Sequence, residues 1–193
     1  MKTILRFKIA LSFLFVLPLT GQCKPLFIGD SLTYELAMSY KKIAPVDARF
    51  LESTGLKSTK ILHWQNYLQH IDFSRYDTVY IVLGTNDFIQ KSEIVDYQDK
   101  ASVFIRTIKK ENSNIVWLLP PTLKNSTKNA LLNNTRQAIQ RASHKENIQT
   151  LDMRKPLGGT YKASVNGVHA RTQDGVHITE KGADLVINLL MEH

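Results

Sequence analysis

The sequence predicts an α/β domain in which a mostly parallel sheet is covered by helices on both faces. Two observations lead to this prediction. Short apolar runs rich in β-branched residues alternate with helix-like segments along most of the chain, and such alternation implies right-handed crossovers between parallel strands. In addition, residues 78–83 are almost continuously apolar, which is the pattern of a strand buried on both faces.

The boundaries of the elements follow from interruptions of these patterns. Gly29 ends the first apolar run, Gly84 ends the third, and Pro120 and Pro121 stop the fourth. Glycines near 158–159 and 166–167 mark a long loop before the last helix. The predicted strands are 26–28, 47–51, 78–83, 115–119 and 148–151, and the predicted helices are 32–43, 64–71, 97–110, 130–145 and 180–190.

The N-terminal residues differ from the rest of this 193-residue chain. Lys2, Arg6 and Lys8 precede an apolar run over residues 9–19, which is too short for the roughly 20 residues that cross a bilayer. We therefore predict a signal peptide over residues 1–23 and one domain over residues 24–193, so that the mature protein is periplasmic or secreted without a transmembrane segment. A lipid anchor at Cys23 is the alternative, and it is disfavoured because the preceding residue is glutamine.

Composition excludes several classes of function. Removing residues 1–23 takes away three basic residues and no acidic residue, so the net charge falls from +8 to +5. The remaining basic residues are scattered rather than interleaved with aromatic residues, so we expect no nucleic-acid partner. The single cysteine excludes a disulfide framework and a thiolate zinc site, and we expect neither a metal nor a cofactor.

Four polar clusters lie where the carboxyl ends of parallel strands meet, which is where ligands bind in such sheets. Three follow the first three strands and the fourth directly precedes the last helix. They are Gly29-Asp30-Ser31-Leu32, Ser53-Thr54-Gly55, Gly84-Thr85-Asn86-Asp87 and Asp174-Gly175-Val176-His177.

Each cluster has a chemical and a structural interpretation. Ser31 on a tight turn suits a nucleophile, but serine and aspartate also cap helices. Asn86 has an amide that suits an oxyanion donor, although asparagine also simply ends strands. Asp174, three residues before His177, can fix the tautomer of the imidazole and leave its other nitrogen free as a general base.

Together the clusters resemble the four blocks of the SGNH (GDSL-type) hydrolase family, in the family's order and over essentially the whole mature chain. The resemblance implies a flavodoxin-like three-layer α/β/α domain, the SGNH hydrolase fold. It also implies ester chemistry with Ser31 as nucleophile, His177 as general base and Asp174 as its orienting acid. The implied oxyanion hole consists of the N–H groups of Ser31 and Gly55 and the Asn86 side chain, while Asp30 and Asp87 support the turns.

Features around Gly55, Trp64 and Arg171 are similar to those of exported bacterial members of the family that act on polysaccharide O-acetyl groups. This likeness favours an exported serine esterase that hydrolyses short acyl esters, with O-acetyl esters first among them, on envelope or secreted carbohydrate. Three alternatives stay open: a polysaccharide O-acetyltransferase supplied by a membrane acyltransferase, a lipase- or thioesterase-type hydrolase, and a glycan-binding module without activity.

Other residues are open to two interpretations. Trp64 is expected in the core rather than in a sugar site, and Arg171 either orients the last loop or meets an anionic substrate. His63 and His70 are spaced to share a helix face but have no third ligand nearby, and His169 is expected in a loop near the cleft.

Overall fold

The computed structural model describes residues 24–192, so the predicted signal peptide and the alternative at Cys23 lie outside the described residues. Five strands form the central sheet: β1 (Lys24–Gly29), β2 (Asp47–Phe50), β3 (Tyr76–Val82), β4 (Ile115–Leu119) and β5 (Gln149–Asp152). The helices are α1 (Leu32–Lys41), α2 (Trp64–Leu68), α3 (Ile94–Lys109), α4 (Ser126–Lys145), α5 (Arg154–Leu157) and α6 (Glu180–Met191). A two-residue hairpin, β6 (Ser164–Val165) and β7 (Val168–His169), lies before α6.

The sheet is parallel throughout, with the strand order β2-β1-β3-β4-β5. This is the flavodoxin-like order. One hydrophobic cluster joins the sheet to α2, α3 and α4, and a second joins the opposite face to α1, α5 and α6. The three-layer α/β/α fold predicted from the sequence is therefore confirmed.

The register brings the predicted clusters to one edge of the sheet. Gly29 at the end of β1 pairs with Phe50 of β2 and with Val82 of β3. The segments that follow these three strands consequently leave the sheet side by side. The crevice beyond the carboxyl ends of the strands is where open α/β sheets bind ligands.

The predicted elements are all present, with shifted boundaries. α4 begins at Ser126, four residues before its predicted start, because the Asn125 side chain accepts from the Lys128 N–H and caps it. The predicted long loop before α6 contains α5 and the β6–β7 hairpin, whose turn uses positive φ angles at Asn166 and Gly167. These pieces are too short to produce a periodic pattern in the sequence. None of the helices within residues 24–192 is long and apolar enough to cross a membrane.

Candidate active site

Ser31 lies on a tight turn between β1 and α1. The turn brings Gly29 so close to β3 that a Cβ atom there would lie 1.8 Å from the Val82 carbonyl oxygen, so glycine is required. Ser31 occupies the N-cap position of α1 but its side chain makes no capping bond. Its Oγ lies 2.9 Å from Nε2 of His177 instead. Of the two interpretations of this serine, the geometry matches the nucleophile.

The imidazole of His177 is held by Asp174. Nδ1 of His177 lies 2.7 Å from Oδ2 of Asp174, while Oδ1 accepts from Thr172 Oγ1 and from the N–H groups of Val176 and His177. Desolvation alone raises the pKa of Asp174, but the hydrogen bonds from His177, Thr172 and the two N–H groups outweigh it and hold the pKa well below its usual range. An ionised carboxylate on Nδ1 fixes the tautomer in which Nε2 faces Ser31 as an acceptor.

Arg171 binds backbone carbonyl oxygens of the loop that carries Asp174 and His177. The side chain is fully buried, and its guanidinium donates to the carbonyl oxygens of Thr122 (2.8 Å), Val176 (2.7 Å) and His177 (3.2 Å). Burial lowers its pKa, but an arginine stays protonated in this environment. The structure thus favours the first interpretation of Arg171, which is orientation of the last loop.

On the other side of Ser31, Gly55 rests on the carboxylate of Asp87. A Cβ atom at Gly55 would lie 2.2 Å from Oδ1 of Asp87, so no larger residue fits. Oδ2 of Asp87 accepts from the Leu56 N–H (2.8 Å) and the Tyr97 hydroxyl (2.6 Å), and Oδ1 accepts from the Lys57 N–H (2.9 Å). Asp87 therefore fixes the loop whose Gly55 N–H is a predicted oxyanion donor.

Asn86 has one amide hydrogen committed to this loop. Its Nδ2 donates to the Thr54 carbonyl oxygen at 2.9 Å, which leaves the second hydrogen of the amide for another acceptor. Within residues 24–192 the backbone N–H groups of Ser31 and Gly55 donate to no other group. The three predicted oxyanion donors thus retain one N–H each for a ligand.

Asp30 is fully buried beneath the turn. Its Oδ1 accepts from the Leu32 N–H at 3.1 Å, whereas Oδ2 has no hydrogen-bond partner in the described part of the chain. Desolvation is the largest cause that raises its pKa to about 7, and the nearby charge of Asp87 acts in the same direction. Asp30 thus contacts the turn through the Leu32 N–H, and ionising its carboxyl group in this buried position costs free energy.

Tyr97 is a residue of this site that the sequence did not indicate. It is buried, and desolvation together with Asp87 raises its pKa well above the usual value. A tyrosine inside an amphipathic helix gives no sign that its hydroxyl meets a carboxylate from another loop.

The remaining candidates lie outside the hydrogen-bonded group of Ser31, His177 and Asp174. Trp64 is buried in the core, as predicted. His169 lies in β7, where its carbonyl oxygen accepts from the Thr179 hydroxyl. No cluster of three or more histidine, cysteine, aspartate or glutamate residues within 24–192 is arranged to hold a metal ion, so His63 and His70 are not part of one.

Solved structures described as lipases and esterases, among them a member of the lipolytic protein G-D-S-L family from Veillonella parvula, have the same architecture as this chain. A lipase/acylhydrolase from Enterococcus faecalis aligns with a TM-score of 0.65 and 13% identity over 88% of this chain and 94% of that one. A carbohydrate acetylesterase from Sinorhizobium meliloti aligns with a TM-score of 0.65 and 13% identity over 89% of this chain and 97% of that one. An aryl esterase from M. smegmatis aligns with a TM-score of 0.62 and 18% identity over 88% of this chain and 98% of that one. The chain therefore has the SGNH hydrolase fold, which confirms the resemblance.

The family model described as Protein of unknown function (DUF459) matches residues 24–193, so the chain belongs to that family. A search of curated protein sequences finds no match.

Proposed function

We propose that this protein is a serine esterase that removes acetyl groups from carbohydrate. The observation that carries the proposal is the continuous hydrogen-bond chain from Ser31 Oγ through His177 to Asp174, with distances of 2.9 and 2.7 Å. A nucleophile, a base and an orienting acid within hydrogen-bonding distance are the requirements for acyl transfer through a covalent intermediate. The acetylesterase among the structures of similar fold supports the choice of substrate.

In the proposed mechanism His177 Nε2 takes the proton of Ser31 while Oγ attacks the acyl carbonyl carbon. The carbonyl oxygen becomes an oxyanion held by three donors: the N–H groups of Ser31 and Gly55 and the Asn86 amide. The intermediate collapses, the bond to the alcohol oxygen breaks, and His177 gives its proton to the leaving alcohol. Water then attacks the acyl-serine with its proton passing to His177, and the acid leaves as His177 returns the proton to Ser31.

Solvent access favours hydrolysis over transfer to a second sugar. The His177 and Asp174 side chains are 43% and 49% exposed, so water reaches the base directly. A transferase has to exclude water from its acyl-enzyme. Faster acetyl release from the enzyme on addition of a non-acetylated oligosaccharide would nevertheless identify a transferase, with a membrane acyltransferase as the source of acyl groups.

One observation supports a second candidate, hydrolysis of longer acyl chains. A cavity of about 430 Å³ extends from Gly55 and Leu56 between α2 and α3, where Trp64 and Val103 line it. Its surface is mostly apolar, which suits an acyl chain. Rates on 4-nitrophenyl acetate, butyrate and octanoate distinguish the two candidates: the acetyl proposal requires the highest kcat/KM with acetate.

The decisive experiment is the intact mass of the protein before and after treatment with a serine-reactive phosphonate, with Ser31→Ala as the matched control. We expect one adduct in the parent and none in the variant. No adduct in a folded parent sample would overturn the proposal and leave a glycan-binding module. The untreated mass of protein expressed with residues 1–23 also tests the proposed export, because cleavage removes that segment and a lipid on Cys23 adds mass.

A further inference from the structure

We infer that an open apolar shelf beside Ser31 binds the sugar part of the ester, an inference that rests on the proposed function. The shelf consists of Tyr34, Met38 and Phe50, whose residues are 47%, 40% and 40% exposed. The rings of Tyr34 and Phe50 lie 5.6 Å apart between centroids and are tilted by 51°. Large apolar side chains that are exposed together, rather than singly, mark binding surfaces.

The shelf begins next to the candidate nucleophile. Phe50 pairs with Gly29 in the sheet, and the following Leu51 N–H donates to the Gly29 carbonyl oxygen at 3.1 Å. Ser31 comes two residues after Gly29, and Tyr34 lies three residues further along, about one helical turn or 5 Å. Met38 extends the same helix face by a further turn.

The proposed chemistry directs the alcohol part of the ester toward this side. His177 must hand a proton to the leaving oxygen, so the alcohol lies on the side of Ser31 that faces the imidazole. Tyr34 and Met38 line a depression of about 400 Å³ together with Glu180, which comes three residues after His177. The depression thus runs from Tyr34 to the start of α6, directly after the loop that carries His177, whereas the cavity at Gly55 adjoins the oxyanion donors.

The chemistry of the shelf fits a sugar better than a second hydrocarbon chain. A pyranose ring stacks its C–H face on an aromatic ring and leaves its hydroxyl groups in water, which matches side chains that are almost half exposed. Glu35 and Glu180 line the same depression together with Lys41 and Lys42, and Lys42 Nζ pairs with Glu180 at 2.7 Å. These charged groups can exchange hydrogen bonds with sugar hydroxyl groups. A hydrocarbon chain on this open surface buries little area and approaches four charged side chains, so it gains little.

The test compares two acetyl esters that differ in the alcohol. Acetylated xylo-oligosaccharides can reach the shelf, whereas the ethyl group of ethyl acetate is too small to do so. We expect Tyr34→Ala and Phe50→Ala each to raise the KM for the sugar ester about 3- to 10-fold, as for the loss of an aromatic contact, and to leave kcat/KM for ethyl acetate within about 2-fold. Met191→Ala, which removes a side chain from a residue 52% exposed at the end of α6, is the matched control.

The outcomes separate the inference from the function on which it rests. Acetate release from neither ester by the parent protein would defeat the proposed function itself. Release from ethyl acetate with no release from the sugar ester would overturn the carbohydrate part of the proposed function together with the shelf. An unchanged KM for the sugar ester in both shelf variants would overturn the shelf alone. Tyr34→Leu and Phe50→Leu keep apolar contacts should an alanine variant fail to fold, and they are expected to raise the same KM because they lack a ring.

Discussion

Two aspartates hold the two sides of this site through similar contacts, but one of them is buried and the other is exposed. Asp87 accepts from two successive backbone N–H groups and the Tyr97 hydroxyl. Asp174 accepts from two successive N–H groups and the Thr172 hydroxyl, and in addition from His177. Asp87 is 2% exposed, whereas the Asp174 side chain is 49% exposed.

The difference in burial separates scaffolding from chemistry. If Asp87 were lost, water could not easily reach the N–H and hydroxyl groups that donate to it, because the site is buried. The contacts of Asp87 therefore stabilise the fold as well as the loop that carries the proposed oxyanion donor. Those of Asp174 are partly replaceable by solvent, so that its contribution is concentrated in the orientation of His177. A substitution at Asp174 should consequently lower activity without much loss of stability, whereas a substitution at Asp87 should lower both.

The largest expected effect is the loss of activity in Ser31→Ala and in His177→Ala. Each variant should lose at least about 10³-fold in kcat because the pair acts as one unit. Neither side chain is part of the hydrophobic core, so thermal unfolding midpoints should stay close to that of the parent. Activity is measured as acetate release, and an equal loss of stability and activity would identify both residues as structural.

The two aspartates can be compared directly by Asp87→Asn and Asp174→Asn. In Asp87→Asn an amide N–H₂ faces a backbone N–H or the Tyr97 hydroxyl, and a buried lost bond should cost about 1–3 kcal/mol of unfolding free energy. Asp174→Asn should change that free energy by less than about 1 kcal/mol, yet lower kcat strongly, though less than His177→Ala, because the base remains. Denaturant unfolding and kcat measured on the same samples check this; similar stability losses would contradict the contrast.

Asp30 predicts a dependence of stability on pH with a definite sign. Its pKa is about 7 in the folded protein and 3.8 is the ordinary value, so the unfolded chain ionises first and stability falls as pH rises between these values. Asp30→Asn removes this charge. The variant's gain in unfolding free energy over the parent, measured by denaturant unfolding at each pH, should therefore grow from pH 4 to about pH 7 and then level off at a few kcal/mol at most. A gain that is constant with pH would exclude the ionised buried carboxylate as its cause.

The smallest expected effects come from deleting one hydroxyl on each side. Tyr97→Phe should lower the unfolding free energy by about 1–2 kcal/mol, since the hydroxyl donates to a buried carboxylate. Thr172→Val keeps the shape of the side chain and should cost less than about 0.5 kcal/mol because water replaces its contact. Unfolding curves recorded in parallel measure both free energies. A larger loss in Thr172→Val than in Tyr97→Phe would contradict the expectation that the buried contact contributes more to stability than the exposed one.

The features that the sequence predicted correctly are those that depend on residues close together in the chain. The strand-ending glycines and the continuous apolar run at 78–83 located the sheet edge, and the spacing of Asp174 and His177 predicted their contact. The role of Arg171 was left open because three carbonyl oxygens converge on it only in the folded loop. Tyr97 was not singled out, since its contact joins an amphipathic helix to another loop. The extra elements before α6 are too short for periodicity to reveal.

The hydrogen bond between Ser31 and His177 joins positions 146 residues apart. Everything else that Ser31 needs locally, the turn at Gly29 and the first strands of the sheet, comes early in the chain, while the imidazole comes just before α6. Gly182 of that helix lies so near the Ala170 carbonyl oxygen that a Cβ would be 2.1 Å away, so α6 must dock tightly to set His177 in place. A chain still emerging from the ribosome has the proposed nucleophile without the proposed base, so the proposed hydrolysis begins only after α6 has been synthesised.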